Sequence, residues 1–239
     1  MFKIGSAFLL LIPLLCSVSS NTNDQQKEDI YTYKTASEGG TGKFYYGREI
    51  AHIMDFSGSA WLERNSRQVE ENSNLAVSKL PINENSVVAD IGAGTGYYTF
   101  KIYNQITKGK IYAKEIQTDA VNYLKNKAGQ LGAVNVIVVK GNEKSPELPE
   151  NSIDLALMVD VYHELSYPHE MLQNIRKSLK QKGKLLLLEY RAEDPKVEIK
   201  PLHKMSVKQA NKELTANGFH LVEDGEFLPI QHYLLYEKD

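Results

Sequence analysis

Cysteine is nearly absent from this chain, and so is any excess of charge. Cys16 is the only cysteine among the 239 residues, so no disulfide bond can form within the chain and cysteine pairs do not constrain its redox compartment. The 28 basic and 30 acidic residues give a formal net charge of −2, and no run of basic residues stands out. Because nucleic-acid surfaces are strongly basic, this balance argues against a nucleic acid as partner.

Long apolar runs are missing as well, with one exception near the N-terminus. Lys3 precedes the apolar residues 7–16, and small polar residues follow up to Ser20. This order is typical of a secretory signal, and the apolar run is too short to span a bilayer comfortably. We therefore expect residues 1–20 to be a signal peptide and the protein to be exported, to a bacterial periplasm or cell envelope, with no further membrane span.

Two alternatives to a simple export signal stay open. Cys16 lies where a bacterial lipoprotein carries its lipidated cysteine, although Leu15 before it is larger than such signals favour. If the apolar start is retained instead, the protein is cytoplasmic. Residues 21–42 are polar and rich in Asn, Gln, Ser and Gly, and they predict a flexible linker.

The remaining residues, 43–239, predict one α/β domain. Residues 43–85 contain apolar positions at helical spacing, which favours a helical lid region. From residue 86 onward, strand-like and helix-like runs alternate five times and end in two strands, with a helix expected at 169–183 and a strand at 184–190. This alternation predicts a Rossmann-like, doubly wound, mostly parallel sheet of seven strands, with helices on both faces and an antiparallel C-terminal hairpin.

The most specific motif follows the first strand of this core. Residues 90–96 read DIGAGTG, an acid followed by glycines at alternate positions. A dinucleotide loop needs its third glycine at position 97, where this chain has Tyr97, and a triphosphate-binding loop needs a lysine that is missing here. Asp90 would repel a pyrophosphate beside it and would attract a cationic ligand.

With this motif, the chain resembles the class I S-adenosylmethionine-dependent methyltransferases, whose first motif has the same form. The resemblance extends over most of the chain from residue 86 onward. It implies S-adenosyl-L-methionine as the cofactor and a cofactor site formed by the glycine loop, the acid before it and the ends of the following strands. The residues at these positions are Asp90, Gly92, Ala93, Gly94, Gly96, Glu115, Ile116, Asn142 and Asp160.

The resemblance also implies a role for each of the later positions. Glu115 would bind both ribose hydroxyls, since one carboxylate accepts hydrogen bonds from two donors. Ile116 would pack on the adenine. Asn142 stands where the family often has aspartate, and its side-chain oxygen would accept from the adenine amino group.

Residues 160–165 follow the fourth core strand, where the family holds the transferred methyl group. His163 and Asp160 are the candidate catalytic residues: His163 has the pKa of a general base, and Asp160 is the alternative base or a hydrogen-bond partner of the cofactor. A packing or helix-capping role for His163 is an equal alternative. No His and Cys residues have the spacing of metal ligands, so the sequence implies no metal.

Two flanking segments are further candidates for the site. Residues 44–54 include Tyr45, Tyr46 and Arg48, which could close over the cofactor or the acceptor. Residues 189–205 form a long segment after the fifth core strand, at the ligand end of the sheet. Its candidate residues are Tyr190, Arg191, His203 and Lys204.

We therefore expect a methyltransferase that transfers a methyl group by in-line displacement to a small-molecule acceptor. One alternative is an exported, non-catalytic nucleoside-binding module, since the cofactor is made in the cytoplasm and an exported enzyme would lack a supply. A second is a nicotinamide-dependent oxidoreductase of the same fold, which Tyr97 disfavours.

Overall fold

The computed structural model describes residues 1–2 and 30–239. Residues 3–29, which hold most of the predicted signal peptide and the start of the predicted linker, lie outside the described residues, and both assignments remain predictions there. Among the helices of the described part, none has the length and apolar character needed to cross a bilayer.

The described residues form strands and helices in an alternating order. The strands are β1 (Tyr31–Tyr33), β2 (Gly40–Tyr45), β3 (Arg48–Ala51), β4 (Val87–Ile91), β5 (Lys110–Glu115), β6 (Val136–Lys140), β7 (Ile153–Val159), β8 (Leu179–Tyr190), β9 (Phe219–Gly225) and β10 (Gln231–Lys238). The α-helices are α1 (Arg67–Glu71), α2 (Ser73–Ser78), α3 (Thr99–Ile102), α4 (Thr118–Gln130), α5 (Pro168–Ser178) and α6 (Val207–Thr215). Short 3-10 helices span Phe56–Glu63, Tyr103–Gln105, Tyr162–Glu164 and Pro201–His203.

The main sheet has seven strands in the order β6-β5-β4-β7-β8-β10-β9. The pairs among β4 to β8 are parallel, whereas β10 runs antiparallel to both β8 and β9. This confirms the predicted doubly wound sheet with its antiparallel C-terminal hairpin. The strand order reverses at β4, which lies between β5 and β7, so the ends of these strands frame the place where such sheets bind ligands.

Four consecutive leucines of β8 show how the sheet is buried on both faces. Leu185 and Leu187 pack into the apolar cluster on one face, together with α5 and α6 residues. Leu186 and Leu188 pack into the cluster on the other face. Successive side chains of a strand point to opposite faces, so an uninterrupted apolar run is what a strand covered on both sides requires.

The boundary between α5 and β8 differs from the prediction. The helix expected at residues 169–183 ends at Ser178, and β8 starts at Leu179, which is buried and pairs with Ile153. Gly183, expected to stop the helix, lies inside the strand, where an added Cβ would come within 2.7 Å of the Ile153 carbonyl oxygen. Sheet pairing therefore overrides the helical spacing of residues 179–183.

A second, three-stranded sheet, β1-β2-β3, precedes the core and was not predicted. It includes residues 31–33 and 40–42, so the predicted flexible linker is wrong for these residues. The buried Glu49 carboxylate explains how so polar a segment folds, because it accepts hydrogen bonds from the Ser37 amide and hydroxyl and from the Gly42 amide. The predicted lid region is accordingly strand up to Ala51 and helical only from Phe56.

Candidate functional site

Two neighbouring clefts lie at the carboxyl ends of the central strands. The glycine-loop cleft is lined by the loop after β4 and by the ends of β5 and β7, including Gly92, Gly94, Glu115, Ile116, Asn142 and Asp160. The histidine cleft is lined by Trp61, Arg64, Arg67, Tyr190, His163 and His203, among others. The two clefts share a wall formed by Ile53, Met54, Leu62, Asp160 and Glu164.

The glycines of the loop have backbone conformations that other residues adopt poorly. Gly92, Gly94 and Gly96 have φ values of +73°, +53° and +74°, in the left-handed region. A Cβ on Gly92 would lie 2.6 Å from a methyl carbon of Val161, and one on Gly94 would lie 2.9 Å from Leu62. The loop therefore presents bare backbone to the cleft, as close contact with a ligand requires.

Ala93 and Gly96, predicted in the cofactor site, shape the loop from behind. The Ala93 amide donates to the Lys114 carbonyl oxygen at 3.0 Å, as does the Gly92 amide at 2.9 Å. A Cβ on Gly96 would collide with Phe100 and Leu124. Gly92 and Gly94 line the glycine-loop cleft, whereas Ala93 and Gly96 do not.

Asp90, predicted in the cofactor site, lies beneath the loop and holds the start of the next helix. Its carboxylate accepts from the Thr99 amide at 3.1 Å and from the Thr99 hydroxyl at 2.6 Å. Burial raises the pKa of Asp90 to about 6, although the two hydrogen bonds from Thr99 oppose that rise. Asp90 thus fixes the turn from strand to helix and does not itself line the cleft.

Glu115 connects the end of β5 to the glycine loop. Its Oε2 accepts from the Gly94 amide at 3.0 Å, and its Oε1 accepts from the amides of Ile116 and Gln117 at 2.6 and 3.1 Å. A carboxylate offers about four lone-pair sites, so these bonds leave room for a further donor from the cleft. The backbone bonds fix the orientation of the carboxylate.

Asn142 also lines the glycine-loop cleft, but its contacts contradict the role expected for it. Its Oδ1 already accepts from the amides of Lys144 and Ser145, each at 2.9 Å, and its Nδ2 donates to Glu147. An amide oxygen has two lone pairs, and both are in use. Asn142 therefore shapes the turn after β6, and its side-chain oxygen has no lone pair left for an adenine amino group.

Asp160 is strained and stands on the wall between the two clefts. Its φ of +53° is uncommon for a residue with a side chain, and such strain is found most often at functional sites. Both carboxylate oxygens accept from Gln231 Nε2, at 2.9 and 3.1 Å, and Arg67 lies 3.8 Å away. Burial and the nearby Glu71 carboxylate raise the pKa of Asp160 well above its usual range.

His163 is buried and hydrogen-bonded at both ring nitrogens. Its Nδ1 lies 2.6 Å from Glu189 Oε2, and its Nε2 lies 3.0 Å from His203 Nδ1. Burial by itself would lower the pKa of His163, but the carboxylates of Glu189 and Glu164 raise it to about 10. Both ring nitrogens are thus already engaged, and neither is free to take a proton from an acceptor, so this geometry does not support a general base.

The three side chains singled out in the segment predicted to close over the ligands pack elsewhere. Tyr45 is fully buried, and its hydroxyl accepts from Asn217. Tyr46 forms the two-residue turn between β2 and β3 together with Gly47, both with positive φ. Arg48 forms a buried ion pair with Glu213 at 2.7 Å.

The residues that do cover the clefts lie just after β3, within the predicted lid region, although the sequence analysis did not single out these side chains. Met54, Phe56 and Leu62 line the glycine-loop cleft. Gln117, after β5, connects this segment to the core: it accepts from the Phe56 amide at 2.8 Å and donates to the Met54 carbonyl at 3.0 Å. No local pattern in the sequence marks these contacts, because Gln117 lies 61 positions after Phe56 and 63 positions after Met54.

The long segment after β8 is partly confirmed as a ligand-side segment. Tyr190 and His203 line the histidine cleft. Arg191 instead pairs with Glu226 at 2.6 Å, and Lys204 donates to the Val197 carbonyl oxygen. The predicted residues thus divide into two that face the cleft and two that hold the segment in place.

Comparison with known proteins identifies the chain. Residues 82–233 match a family model described as a methyltransferase domain. The chain belongs to this family. This chain is also similar to the crystal structure of an S-adenosylmethionine-dependent methyltransferase from Aquifex aeolicus. The two are 26% identical with a TM-score of 0.73, and the match covers 78% of this chain and 100% of the other.

Two further relatives are more distant or much longer. The structure of the mitomycin 7-O-methyltransferase MmcR has a TM-score of 0.62 at 14% identity, over 72% of this chain and 54% of that one, which shows a common fold. Fusarielin synthase FSL1 of Gibberella zeae is 32% identical over 113 residues, or 44% of this chain. The match between this chain and the synthase covers only 4% of the synthase's length.

The methyltransferase is therefore a class I enzyme whose cofactor is S-adenosyl-L-methionine. The residues present fit this group: a loop of bare backbone faces the cleft, and the fixed Glu115 carboxylate has capacity for one further donor, such as a ribose hydroxyl. Neither alternative function, the non-catalytic module or the nicotinamide-dependent oxidoreductase, is favoured by these relatives.

Proposed function

We propose that the glycine-loop cleft holds the cofactor and that the histidine cleft holds a small-molecule methyl acceptor. The observation that carries this proposal is the shared wall of the two clefts, at Asp160 and Glu164. A methyl transfer needs donor and acceptor to meet in line with water excluded. Two clefts that meet at one wall provide such a place.

Within the glycine-loop cleft, we assign cofactor binding to Gly92, Gly94, Glu115 and Ile116. The backbone at Gly92 and Gly94 allows close approach, Glu115 accepts from a ribose hydroxyl through its remaining lone pair, and Ile116 offers an apolar surface to the adenine. When bound, the cofactor supplies a methyl group that its positively charged sulfur has already activated. Asp160, on the shared wall of the two clefts, is assigned to the alignment of the reacting groups.

The segment from Ile53 to Arg67 helps to exclude water from the reaction. Met54 and Leu62 belong to the wall of both clefts, and Trp61 lies in the histidine cleft. These side chains are apolar, so they would pack against the acceptor and keep water out of the reaction. We assign the choice of acceptor to this segment and to residues 198–203.

Replacement of Glu115 tests the cofactor assignment. We expect E115A to weaken the binding of S-adenosylhomocysteine by at least about 10-fold, because hydrogen bonds to a charged group contribute roughly 1.5–3 kcal/mol each. Isothermal titration calorimetry measures the affinity. The matched control is E84A, which removes an exposed carboxylate paired with Lys108; its affinity should equal that of the wild type.

Equal affinity of E115A and wild type would refute the assignment of Glu115. Absence of S-adenosylhomocysteine binding by the wild type would refute the cofactor cleft itself. The acceptor class is tested by incubating the protein with methyl-labelled cofactor and a cell extract. Label in the low-molecular-weight fraction is expected, and label confined to protein or nucleic acid would contradict a small-molecule acceptor.

A further inference from the structure

Three side chains converge on one point of the histidine cleft. His163 Nε2 lies 3.0 Å from His203 Nδ1, His203 Nδ1 lies 3.2 Å from Glu164 Oε1, and His163 Nε2 lies 3.7 Å from Glu164 Oε1. Each residue thus directs one ligand atom toward the same small space. His163 and Glu164 follow β7, whereas His203 comes from the segment after β8, which is why no spacing in the sequence marked this group.

The separations match those of a metal site. Zinc binds His nitrogen and carboxylate oxygen at about 2.0–2.2 Å in tetrahedral sites, which places neighbouring ligand atoms roughly 3.3–3.5 Å apart. The three measured separations, 3.0, 3.2 and 3.7 Å, lie around this value. Two histidines and one carboxylate also form a ligand set that suits divalent transition metals.

A second observation comes from the far side of His163. Its Nδ1 lies 2.6 Å from the Oε2 of Glu189, which is fully buried. Metal-bound histidines almost always donate their other ring N–H to a carboxylate or carbonyl, which fixes the tautomer and the ring orientation. Glu189 Oε1 in turn accepts from the amides of Val161 and Tyr162, at 3.2 and 2.8 Å, so the carboxylate is fixed as well.

The partners of Glu164 and His203 complete the group. Glu164 Oε1 accepts from the Met54 amide at 3.2 Å, which connects the group to the wall shared by the two clefts. The side chains of Glu164 and His203 are 13% and 24% exposed, and that of His163 is 2% exposed. The group is therefore held from the protein side and open toward the histidine cleft.

We propose that His163, Glu164 and His203 bind a divalent transition-metal ion, Zn²⁺ in particular, with a free coordination position that faces the histidine cleft. Three protein ligands and one open position are the arrangement of reactive zinc sites, whereas structural sites use four protein ligands. The open position would bind the heteroatom of the methyl acceptor, and we assign a thiol or a hydroxyl compound to it because coordination makes such groups anionic. This last step rests on the proposed function of the cleft.

The metal ion would make such an acceptor a nucleophile at neutral pH. Coordination lowers the pKa of a bound thiol or hydroxyl, and its proton leaves to water. A lone pair of the acceptor heteroatom then forms the bond to the methyl carbon. The electron pair of the broken carbon–sulfur bond stays on the cofactor sulfur, so an anion and a cation become two neutral products.

Metal binding by the full-length protein tests the proposal directly. Protein freed of metal by a chelator is titrated with Zn²⁺ by calorimetry and with Co²⁺ by visible absorption, where a tetrahedral site produces intense bands. We expect one equivalent of each metal to bind. H203A removes a proposed ligand, so it should lower the metal affinity by more than the roughly 10- to 100-fold that is typical when only a hydrogen-bond partner of a ligand is removed. E164Q should weaken metal binding as well.

The matched control is H220A, which removes an exposed histidine that pairs with Asp239, away from the group. Its metal affinity should equal that of the wild type. Wild-type protein that binds no stoichiometric Zn²⁺, or H203A and E164Q that bind it as the wild type does, would overturn the metal site. In that case, the three side chains form a hydrogen-bonded network alone.

Titration of the same preparations with S-adenosylhomocysteine separates this proposal from the proposed function. If the protein binds S-adenosylhomocysteine but does not bind Zn²⁺, the metal site is refuted and the cofactor cleft is not. If the protein binds Zn²⁺ but does not bind S-adenosylhomocysteine, the cofactor cleft is refuted and the metal site is not. Cofactor binding by H203A also shows that this variant is folded.

Discussion

Gly92 combines two constraints that can be separated experimentally. Its φ is +73°, and an added Cβ would lie 2.6 and 2.7 Å from the two methyl carbons of Val161. Gly132, at the end of α4, has a similar φ of +60° but meets nothing within 4 Å. Gly92 is needed for its left-handed conformation and because Val161 lies too close for a Cβ, whereas Gly132 is needed for its conformation alone.

We expect G132A to cost about 1–2 kcal/mol of unfolding free energy, the cost of a left-handed conformation for a residue with a Cβ. G92A should cost more, because Val161 must also move, and it should abolish detectable cofactor binding. Urea unfolding and calorimetric titration with S-adenosylhomocysteine measure the two effects. Equal stability of the two variants, with cofactor binding intact in both, would contradict this account of the loop.

Asp90 makes stability depend on pH in a predictable direction. Burial raises its pKa from 3.8 to about 6 in the folded protein. Between roughly pH 4 and 6 the folded state therefore binds more protons than the unfolded state, and stability falls as the pH rises through this window. Two pKa units correspond to a loss of roughly 3 kcal/mol, which is complete above about pH 6.

The variant D90N isolates this effect. Its amide side chain does not titrate, whereas the other ionisable groups remain in both proteins. We expect the unfolding free energy of the wild type, relative to D90N, to fall by about 3 kcal/mol from pH 4 to pH 7. Urea unfolding at each pH measures it, and a constant difference across this range would show that Asp90 keeps an ordinary pKa.

At the scale of elements, a buried ion pair joins the small N-terminal sheet to α6. Arg48 of β3 donates to both oxygens of Glu213, at 2.7 and 2.9 Å, and to the His163 carbonyl oxygen at 3.1 Å. The Glu213 side chain is fully buried. Removal of Arg48 would leave this carboxylate buried without its charged partner.

We expect R48A to lower the unfolding free energy by about 3–5 kcal/mol, the usual cost of breaking a buried ion pair from one side. K108A is the control, since Lys108 is 63% exposed and pairs with Glu84 on the surface. Its effect should stay within about 1 kcal/mol. Similar losses for both variants in urea unfolding would mean that the ion pair does not hold the sheet in place.

The whole molecule divides into a part that matches the family and a part that does not. The family model covers residues 82–233, which include the glycine loop, Glu115 and Asp160. Met54, Trp61 and Leu62 lie before this range, yet they line the histidine cleft. The residues to which we assign cofactor binding thus lie within the range that matches the family, whereas part of the proposed acceptor cleft comes from the preceding segment.

The sequence by itself determined the order of elements in the core and the identity of the glycine loop. These depend on local signals: alternating periodicity, caps and the spacing of Gly92, Gly94 and Gly96, which constrain neighbouring backbone. The family resemblance singled out Glu115, the last residue of β5, and the structure brings its carboxylate to the Gly94 amide. The end of α5 was misassigned, since the pairing of Leu179 with Ile153 is not a local property.

The tertiary structure alone decided which side chains meet. The N-terminal sheet forms from polar residues because the Glu49 carboxylate satisfies their backbone. His163 and His203 are 40 positions apart and yet in contact, so neither marks the other in the sequence. Contacts between distant segments are fixed by packing of the whole chain, and the histidine cleft is built from such contacts.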